Sequence, residues 1–481
     1  MLLHNLPEFL ASLNERDHIA LLGDPALHVC INDVIDVTGR REKRKRRLSA
    51  CLTMYIVLSL SLFRRLSIPN ALATLLSCLR DVIPGLPYRP ASEGAICDAR
   101  YRLGEAPLKA LFEARAATVA PPPTFRGLRV WAIDGVRFQV PDTEDNLGEF
   151  GKPIVGRGSS AFPVARVVAL VDTHGHRVRA INIDRWDAAE RDAVEQLIES
   201  LDDEDVVLLD RGFPSGPLFR LFGTRRVHVV CRITSTWRPR LVKKLGLGDY
   251  LVRITVKTTL PSSTTAGGNP PQRNSYILMR MLVYRCGKQE SRILTDLTDA
   301  ASYPALDLAS LYHERWEVEL VYDEVKNHFA TGLTGSLDLC VRSKLPCGVR
   351  QELYAMFTAY NFVRKIIVAA AKTHDLQPLE ISFVGALAAL QITIPRIVAA
   401  TADEQQILLR RILSDIAKFC RLRPRRKRQY DRKVKVKMSD FGCKTASDVQ
   451  RKEDLRPAMC EQSVKKTWSR RRKPDPAPHR A

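Results

Sequence analysis

The hydrophobic positions between residues 125 and 210 follow the two-residue period of β-strands and then the 3.6-residue period of a helix. The alternation predicts one pair of strands joined by a turn at Asp134-Gly135 and a second pair joined by a turn at Thr173 to Gly175. In chain order, the predicted elements are two strands within 127–142, two strands within 162–184, an amphipathic helix over 189–201 and an apolar strand over 205–210. This succession is typical of an α/β core.

The segments on either side of this core have different patterns. Residues 1–100 predict several helices separated by Pro and Gly, and the three prolines at 121–123 mark a boundary after them. A second β-rich pattern at about 220–300 predicts an insertion within an α/β domain over 125–370. Residues 371–481 predict helices followed by a basic tail.

Two composition features limit where the protein works. The apolar segment Leu48–Phe63 is shorter than the roughly 20 residues that a membrane-spanning helix needs, so we expect a buried core helix and no membrane partner. The 11 cysteines include no Cys-x-x-Cys pair, which predicts reduced thiols in a cytoplasmic protein rather than a zinc site.

Charge narrows the class of partner. The formal net charge of +22 favours an extended polyanion such as nucleic acid over a small substrate. The tail 421–481 holds 21 Lys and Arg against 7 Asp and Glu, and the run Arg40–Arg47 has seven positive charges in eight residues. Both segments are therefore predicted to contact phosphates, and the helical region 1–100 is predicted to be a DNA-binding domain.

The most informative spacing joins Tyr312, Arg315, Glu319 and Lys326. On one continuous helix these offsets place all four side chains within about 60° of each other, so one face carries a carboxylate between two cations and a phenol. The carboxylate could bind a divalent metal, and the cations could bind phosphates beside it. Apolar neighbours predict that this helix is buried and that its charged face lines a cleft, whereas an ordinary solvated helix is the alternative.

Two aspartates are candidate partners for Glu319. Asp134 and Asp210 each follow an apolar run that is predicted to be a strand, where a rigid sheet would point a metal ligand into a cleft. A turn residue that merely ends the strand is the alternative at each position, and Asp172 is the alternative to Asp134. The rival acids around Glu319 are Glu314, Glu317, Asp323 and Glu324, of which Glu317 points about 160° away from Glu319 on an α-helix.

These residues resemble the signature of a known family. Asp134 in AIDG, Asp210 in LLDRGF and Glu319 within the Tyr-Arg-Glu-Lys spacing are similar to the acidic triad of bacterial DDE transposases of the insertion sequence 4 family. The segment VRSKLPCGVRQELYAMFTAYNFVR and the helical region 1–100 also resemble that family, so the resemblance covers essentially the whole chain.

The resemblance implies a fold and a site. It implies a ribonuclease H-like α/β catalytic core with a β-rich insertion before the glutamate, preceded by a helical N-terminal domain and followed by helices and a basic tail. It implies two Mg²⁺ ions, replaceable by Mn²⁺, bound by Asp134, Asp210 and Glu319. The DNA-contacting residues would be Tyr312, Arg315 and Lys326, with Arg211 as a further phosphate contact and Trp316 as either a base-stacking or a core residue.

The resemblance also implies an activity. The expected reaction is metal-dependent hydrolysis at transposon ends followed by strand transfer into target DNA, in a cut-and-paste route with hairpin intermediates. The expected partners are terminal inverted repeats, target DNA and a second copy of the chain in a synaptic dimer, in the bacterial cytoplasm with the nucleoid. The alternative is a catalytically inactive DNA-binding derivative that acts as a regulator, and the presence of every signature residue argues against it.

Overall fold

The computed structural model describes residues 25–44, 46, 48–62, 67–68, 70, 91–155, 158–259, 272–286, 289–329, 341–400, 402–422 and 457–461. The helices predicted before residue 25 and over most of 63–90 lie outside the described residues, as do most of the basic tail and part of the run Arg40–Arg47.

The helices, in chain order, are α1 Pro25–Val37, α2 Ala50–Leu62, α3 Glu93–Leu103, α4 Ala106–Ala116, α5 Glu144–Phe150, α6 Glu190–Leu197, α7 Gly216–Arg225, α8 Ala305–His313, α9 Trp316–Asp323, α10 Pro346–Thr373, α11 Phe383–Ala399 and α12 Ala402–Phe419. A π-helical segment, Glu324–Phe329, follows α9, and short 3₁₀ turns occupy Ile198–Ser200 and Pro378–Glu380.

The strands are β1 Arg129–Gln139, β2 Ile154–Val155, β3 Gly158–Ser159, β4 Val164–Asp172, β5 Val178–Arg185, β6 Asp205–Leu209, β7 His228–Ile233, β8 Arg240–Gly246, β9 Asp249–Thr259, β10 Gln272–Cys286, β11 Gln289–Thr295 and β12 Ala458–Met459. The α/β class is therefore confirmed.

The chain divides into two compact units, and the first comprises residues 1–124, 130–200 and 316–426. Its strands β1, β4 and β5 form an antiparallel group in which β4 is buried along its whole length. Helix α10 is the hub of its helices, since α2, α4, α11 and α12 all contact it. Because α10 has helix neighbours on several sides, its residues are buried through most of its length.

The turn predicted at Asp134-Gly135 is wrong. Strand β1 continues through both residues, which pair with Ala169 and Val168 of β4. A side chain at position 135 would place its Cβ 2.5 Å from Oε1 of Glu190, so this glycine permits a close approach rather than a turn. Asp134 consequently lies in the middle of a strand, whereas the turn expected between β4 and β5 is confirmed.

The apolar segment after Leu48 forms the buried helix α2, as predicted. Its residues Met54, Ile56 and Leu58 are at most 2% exposed. None of the described helices has both the length and the apolar character of a membrane-spanning segment.

Helix α3 is joined to α10 by buried Arg100, whose Nη2 lies 3.1 Å from Oε1 of Glu352.

The second unit comprises residues 125–129, 201–315 and 427–481. Strands β6 and β7 are parallel, and β11, β10, β9 and β8 follow as an antiparallel succession. The β-rich character predicted for about 220–300 is confirmed, although the edge strand β8 was not predicted. Residues 457–461 of the basic tail include β12, which pairs with β10.

Candidate active site

The Tyr-Arg-Glu-Lys signature does not lie on one continuous helix, so the prediction of a single face is wrong. Helix α8 ends at His313, Glu314 and Arg315 form a turn, and α9 begins at Trp316. Lys326 lies in the π-helical segment, whose i→i+5 hydrogen bonds make a wider turn than an α-helix. The four side chains therefore cannot be related by a 100° step per residue.

Helix α9 is buried on one side and open on the other, rather than buried all round. Val318, Val321 and Val325 are fully buried, the last of them in the π-helical segment. Trp316 is 59% exposed, so its reading as a core tryptophan is wrong.

In the first unit, a hydrogen bond joins the strand that carries Asp134 to the helix that carries Glu319. The hydroxyl of Tyr322, one turn after Glu319, donates a hydrogen bond of 2.5 Å to the backbone carbonyl of Asp134. Burial, with the nearby charge of Asp134 adding to it, raises the pKa of Tyr322 well above its usual value, so this hydroxyl keeps its proton. Both carboxylates are half-buried.

Lys326 is oriented toward the same strand. Its Nζ lies 5.9 Å from the centre of the Phe138 ring, a cation–π contact. Phe138 and Asp134 are four residues apart on a regular stretch of β1, so they occupy one face of the strand. The π-helical segment thus directs Lys326 to the face of β1 that carries Asp134.

In the second unit, Asp210 directly follows β6, as predicted. Its Oδ1 accepts a hydrogen bond of 2.6 Å from the backbone N–H of Gly212, and the neighbouring Arg211 is exposed. Cys231 lies beside Asp210 and donates a weak hydrogen bond of 3.5 Å from Sγ to its carbonyl. Burial, followed by the charge of Asp210, raises the pKa of Cys231 well above the ordinary thiol value, so the thiol is inert.

Tyr312 and Arg315 also belong to the second unit and are largely buried, at 7% and 8% exposure. Burial raises the pKa of Tyr312, and the positive charge of Arg315 opposes that rise. The backbone N–H of Arg315 donates to the carbonyl of Tyr312 at 3.2 Å, which closes the turn between α8 and α9.

Asp172, the alternative to Asp134, is fully buried and has a structural role. Its Oδ1 accepts hydrogen bonds from the backbone N–H groups of His174 and Gly175, and its Oδ2 accepts two from Arg177, each 3.2 Å long. Both oxygens are therefore used in closing the turn between β4 and β5, which leaves Asp172 unsuited to binding a metal.

Two acids near Glu319 form a buried network that the sequence did not reveal. Oε2 of Glu317 lies 2.7 Å from Nε2 of His176, and Nδ1 of His176 lies 2.9 Å from Nη2 of Arg364. Oε2 of Glu324 accepts from the Tyr360 hydroxyl at 2.7 Å and from Nε of Arg364 at 3.1 Å. Burial alone would raise the pKa of Glu324, but the buried cation of Arg364 outweighs burial and holds that pKa well below its ordinary value.

A signal for this network exists in the sequence. Arg364 interrupts the apolar pattern of α10 at a position that faces the core, and an arginine buried to 1% exposure requires a partner. Which acids serve as partners depends on contacts between residues more than 180 positions apart, as for His176 and Arg364. No local pattern encodes such a contact.

The three signature acids have the right chemistry for a divalent cation, because carboxylate oxygens are the preferred ligands of Mg²⁺ and similar hard ions. Within the ranges that the structure describes, no three His, Cys, Asp or Glu side chains converge closely enough to hold a metal ion. Asp134 and Glu319 belong to one compact unit and Asp210 to the other.

Comparison with known proteins gives this arrangement its context. The family model described as Insertion element 4 transposase N-terminal matches residues 16–113, and the model described as Transposase DDE domain matches residues 126–362. Transposase InsG for insertion sequence element IS4, from Escherichia coli (strain K12), is 28% identical over 428 residues, which cover 87% of this chain and 92% of that protein. The chain belongs to the insertion sequence 4 family of DDE transposases.

The chain is accordingly a DNA transposase and a metal-dependent enzyme, as the resemblance implied. The mixed α/β fold fits a ribonuclease H-like DDE core. Among solved structures, the chain is similar to the piggyBac transposase in its cryo-EM synaptic complex with hairpin DNA, with a TM-score of 0.43 and 11% identity over 86% of each chain.

Proposed function

We propose that Asp134, Asp210 and Glu319 are the catalytic, metal-binding acids of this transposase. The observation that carries the proposal is the hydrogen bond from Tyr322 on α9 to the Asp134 carbonyl. It joins the helix that carries Glu319 to the strand that carries Asp134. The third, Asp210, has one carboxylate oxygen bonded to Gly212 and no hydrogen-bond partner for the other among the described residues.

The proposed ion is Mg²⁺, with Mn²⁺ able to replace it. When bound, it would lower the pKa of an attacking water or 3′-hydroxyl and stabilise the leaving oxygen. The carboxylates would hold it on strands and on a helix that a hydrogen bond joins to β1. Half-burial of Asp134 and Glu319 would keep these ligands partly out of bulk water, which strengthens their electrostatic interactions.

We further propose that the cations of the signature hold DNA phosphates next to this site. Lys326 and Arg315 would make charge-assisted hydrogen bonds to the backbone of the transposon end, with Arg211 and Tyr312 as further contacts. Trp316, whose ring is largely exposed, would stack on a base. The helices within 1–100 and the basic tail 421–481 would add contacts that depend on salt rather than on sequence.

The proposed reaction is cleavage at the terminal inverted repeats followed by strand transfer into target DNA by a cut-and-paste route. Two ends must be processed together, so a homodimer in the synaptic complex is the proposed assembly. The alternative of an inactive regulator has no support, because the family matches and all three signature acids are present in this chain.

The test uses the purified full chain, Mg²⁺ and a labelled duplex that carries the terminal inverted repeat flanking its own coding sequence. Asp134→Asn, Asp210→Asn and Glu319→Gln should each reduce nicking by roughly 10³-fold or more while leaving end binding in a gel-shift assay unchanged.

Asp323→Asn is the matched control, because Asp323 is an exposed acid on the same helix as Glu319. It should cut at the wild-type rate. Nicking by any of the three signature variants at the wild-type rate would remove that acid from the proposed site.

A further inference from the structure

One charged network in the first unit has no part in the proposed reaction, yet it surrounds the segment that carries Glu319. Glu317 lies two residues before Glu319 and Glu324 five residues after it. Both acids are connected to Arg364 of α10, Glu324 directly and Glu317 through His176. The network therefore attaches the signature segment, residues 316–329, to helix α10 at two points.

The geometry determines the proton positions in the first connection. Arginine can only donate hydrogen bonds, so Nδ1 of His176 accepts from Arg364 and Nε2 carries the proton that is donated to Glu317. His176 is 3% exposed and has a left-handed backbone with φ of 58°. A non-glycine residue in that conformation is strained and persists where its surroundings demand it.

The second connection lies where the α-helix changes to a π-helix. Glu324 is the first residue of the π-helical segment, and its carboxylate is bonded by both Arg364 and Tyr360. A π-helical turn is rare and less favourable than the α-helix that it replaces, and it occurs frequently at functional sites. The ion pair anchors the residue at which this change of register begins.

The change of register has a consequence for the signature. Lys326 is the third residue of the π-helical segment, and in this register its ammonium lies over Phe138 on the face of β1 that carries Asp134. The hydroxyl of Tyr322 also connects α9 to β1. The segment is thus held between α10 and β1.

We propose that Arg364 is a positioning residue of the transposase, which holds Glu319 and Lys326 in register with Asp134 through its contacts with Glu324 and with the His176–Glu317 pair. Arg364 contacts neither substrate nor metal in this role. The inference rests on the proposed function, since it assigns Arg364 a role relative to Glu319 and Lys326.

The first test uses Glu317, which lies at the partly exposed end of the network. Glu317→Ala removes the acceptor for His176, whereas Glu317→Gln keeps an acceptor oxygen and should rescue. We expect Glu317→Ala to lower the single-turnover nicking rate at saturating DNA by roughly tenfold to a hundredfold, with the Kd for end DNA unchanged. Glu317→Gln and the exposed control Asp323→Ala should stay within about threefold of wild type.

The second test measures the segment without relying on activity. In the double variant Arg364→Met with Glu324→Gln, no buried charge is left unpaired. Hydrogen exchange of the peptide covering 316–329 in the metal-free full chain should become roughly tenfold faster, while peptides from β4 and β5 keep their protection. If this variant does not fold, the exchange of the same peptide in Glu317→Ala replaces it.

The outcomes separate the two proposals. Slow nicking and faster local exchange in Glu317→Ala, with rescue by Glu317→Gln, support the positioning role. Wild-type nicking and exchange in Glu317→Ala overturn it, and so does an equal loss in Glu317→Gln. If Glu319→Gln itself nicks normally, the proposed site fails; if Glu319→Gln is inactive but Glu317→Ala is normal, only the positioning role fails.

Discussion

Arg280 in the second unit and Arg364 in the first are the two most deeply buried arginines among the described residues, at 0% and 1% exposure. Arg280 is fully satisfied. Its Nε and Nη2 donate to the two oxygens of Asp249 at 2.8 and 2.6 Å, and its Nη1 donates to the carbonyl of Tyr303 at 2.6 Å. These contacts connect β10 to β9 and to the loop before α8.

Arg364 is satisfied only in part. Its Nε and Nη2 have partners, but its buried Nη1 has none within the described part of the chain. A buried donor without an acceptor costs about 1–3 kcal/mol, and such groups call for an explanation. Burial and ion pairing therefore do not by themselves indicate function. The two arginines differ in what they connect. The network of Arg364 includes acids on both sides of Glu319, whereas the partners of Arg280 support a sheet.

The largest effect on stability is expected at Arg280. Arg280→Met leaves Asp249 buried without its cation, which should lower the free energy of unfolding by about 3–5 kcal/mol. Urea denaturation followed by circular dichroism measures the loss, and adding Asp249→Asn should restore part of it. The nicking rate per folded molecule should not change. A fall in that rate would mean that Arg280 serves the site as well as the sheet.

A smaller effect is expected from the titration of Glu324. Because its pKa is lowered to about 2 from 4.5, the ionised carboxylate stabilises the folded state above about pH 5, and this contribution is lost as the pH falls toward 2. The loss should be roughly 2–3 kcal/mol over that interval. The free energy of unfolding, measured from pH 6 to pH 2, should fall less for Glu324→Gln than for the wild type. An equal fall in both proteins would mean that Glu324 is not held ionised by Arg364.

The smallest effect is expected at two helix caps, one in each unit. Ser215 accepts a hydrogen bond from the backbone N–H of Leu218 at the start of α7, and Ser382 accepts one from Gly385 at the start of α11. Replacing either serine by alanine should cost about 1 kcal/mol, and replacing it by glycine only a few tenths. Thermal unfolding of the four variants measures both costs. Clearly unequal losses in the two alanine variants would show that the units differ in more than their buried arginines.

The hydrophobic periodicity of the sequence predicted those strands and helices whose apolar positions are also the buried ones. Strands β4 and β6 are buried throughout and apolar except at Arg166, Asp172 and Asp205, and α6 begins and ends within the predicted range. Strand β8 was missed because its side chains are exposed and rich in lysine, so that only pairing with β9 makes it a strand. Helix α7 was also missed, although Ser215 at its N-cap and a proline within its first two positions are recognisable start signals.

In the candidate site, too, local patterns were predictable from the sequence and tertiary contacts were not. The spacing of Tyr312, Arg315, Glu319 and Lys326 was readable because it is a local pattern with one acid among cations. The break at Arg315 and the π-helical turn at Glu324 were not readable, because a helical pattern continues through both positions. Tertiary contacts overrode local propensity at these points.

The α/β class and the family were predictable from the sequence, and so were Asp134, Asp210 and Glu319 as candidate acids, because each prediction depends on residue types in local patterns. Only the tertiary structure decided that Asp134 lies within a strand, that Asp172 closes a turn, and that Arg364 holds the signature segment. The strand pairing of Asp134 and the contacts of Arg364 join residues from 35 to more than 180 positions apart, and the free energy of such contacts exists only once the core has packed.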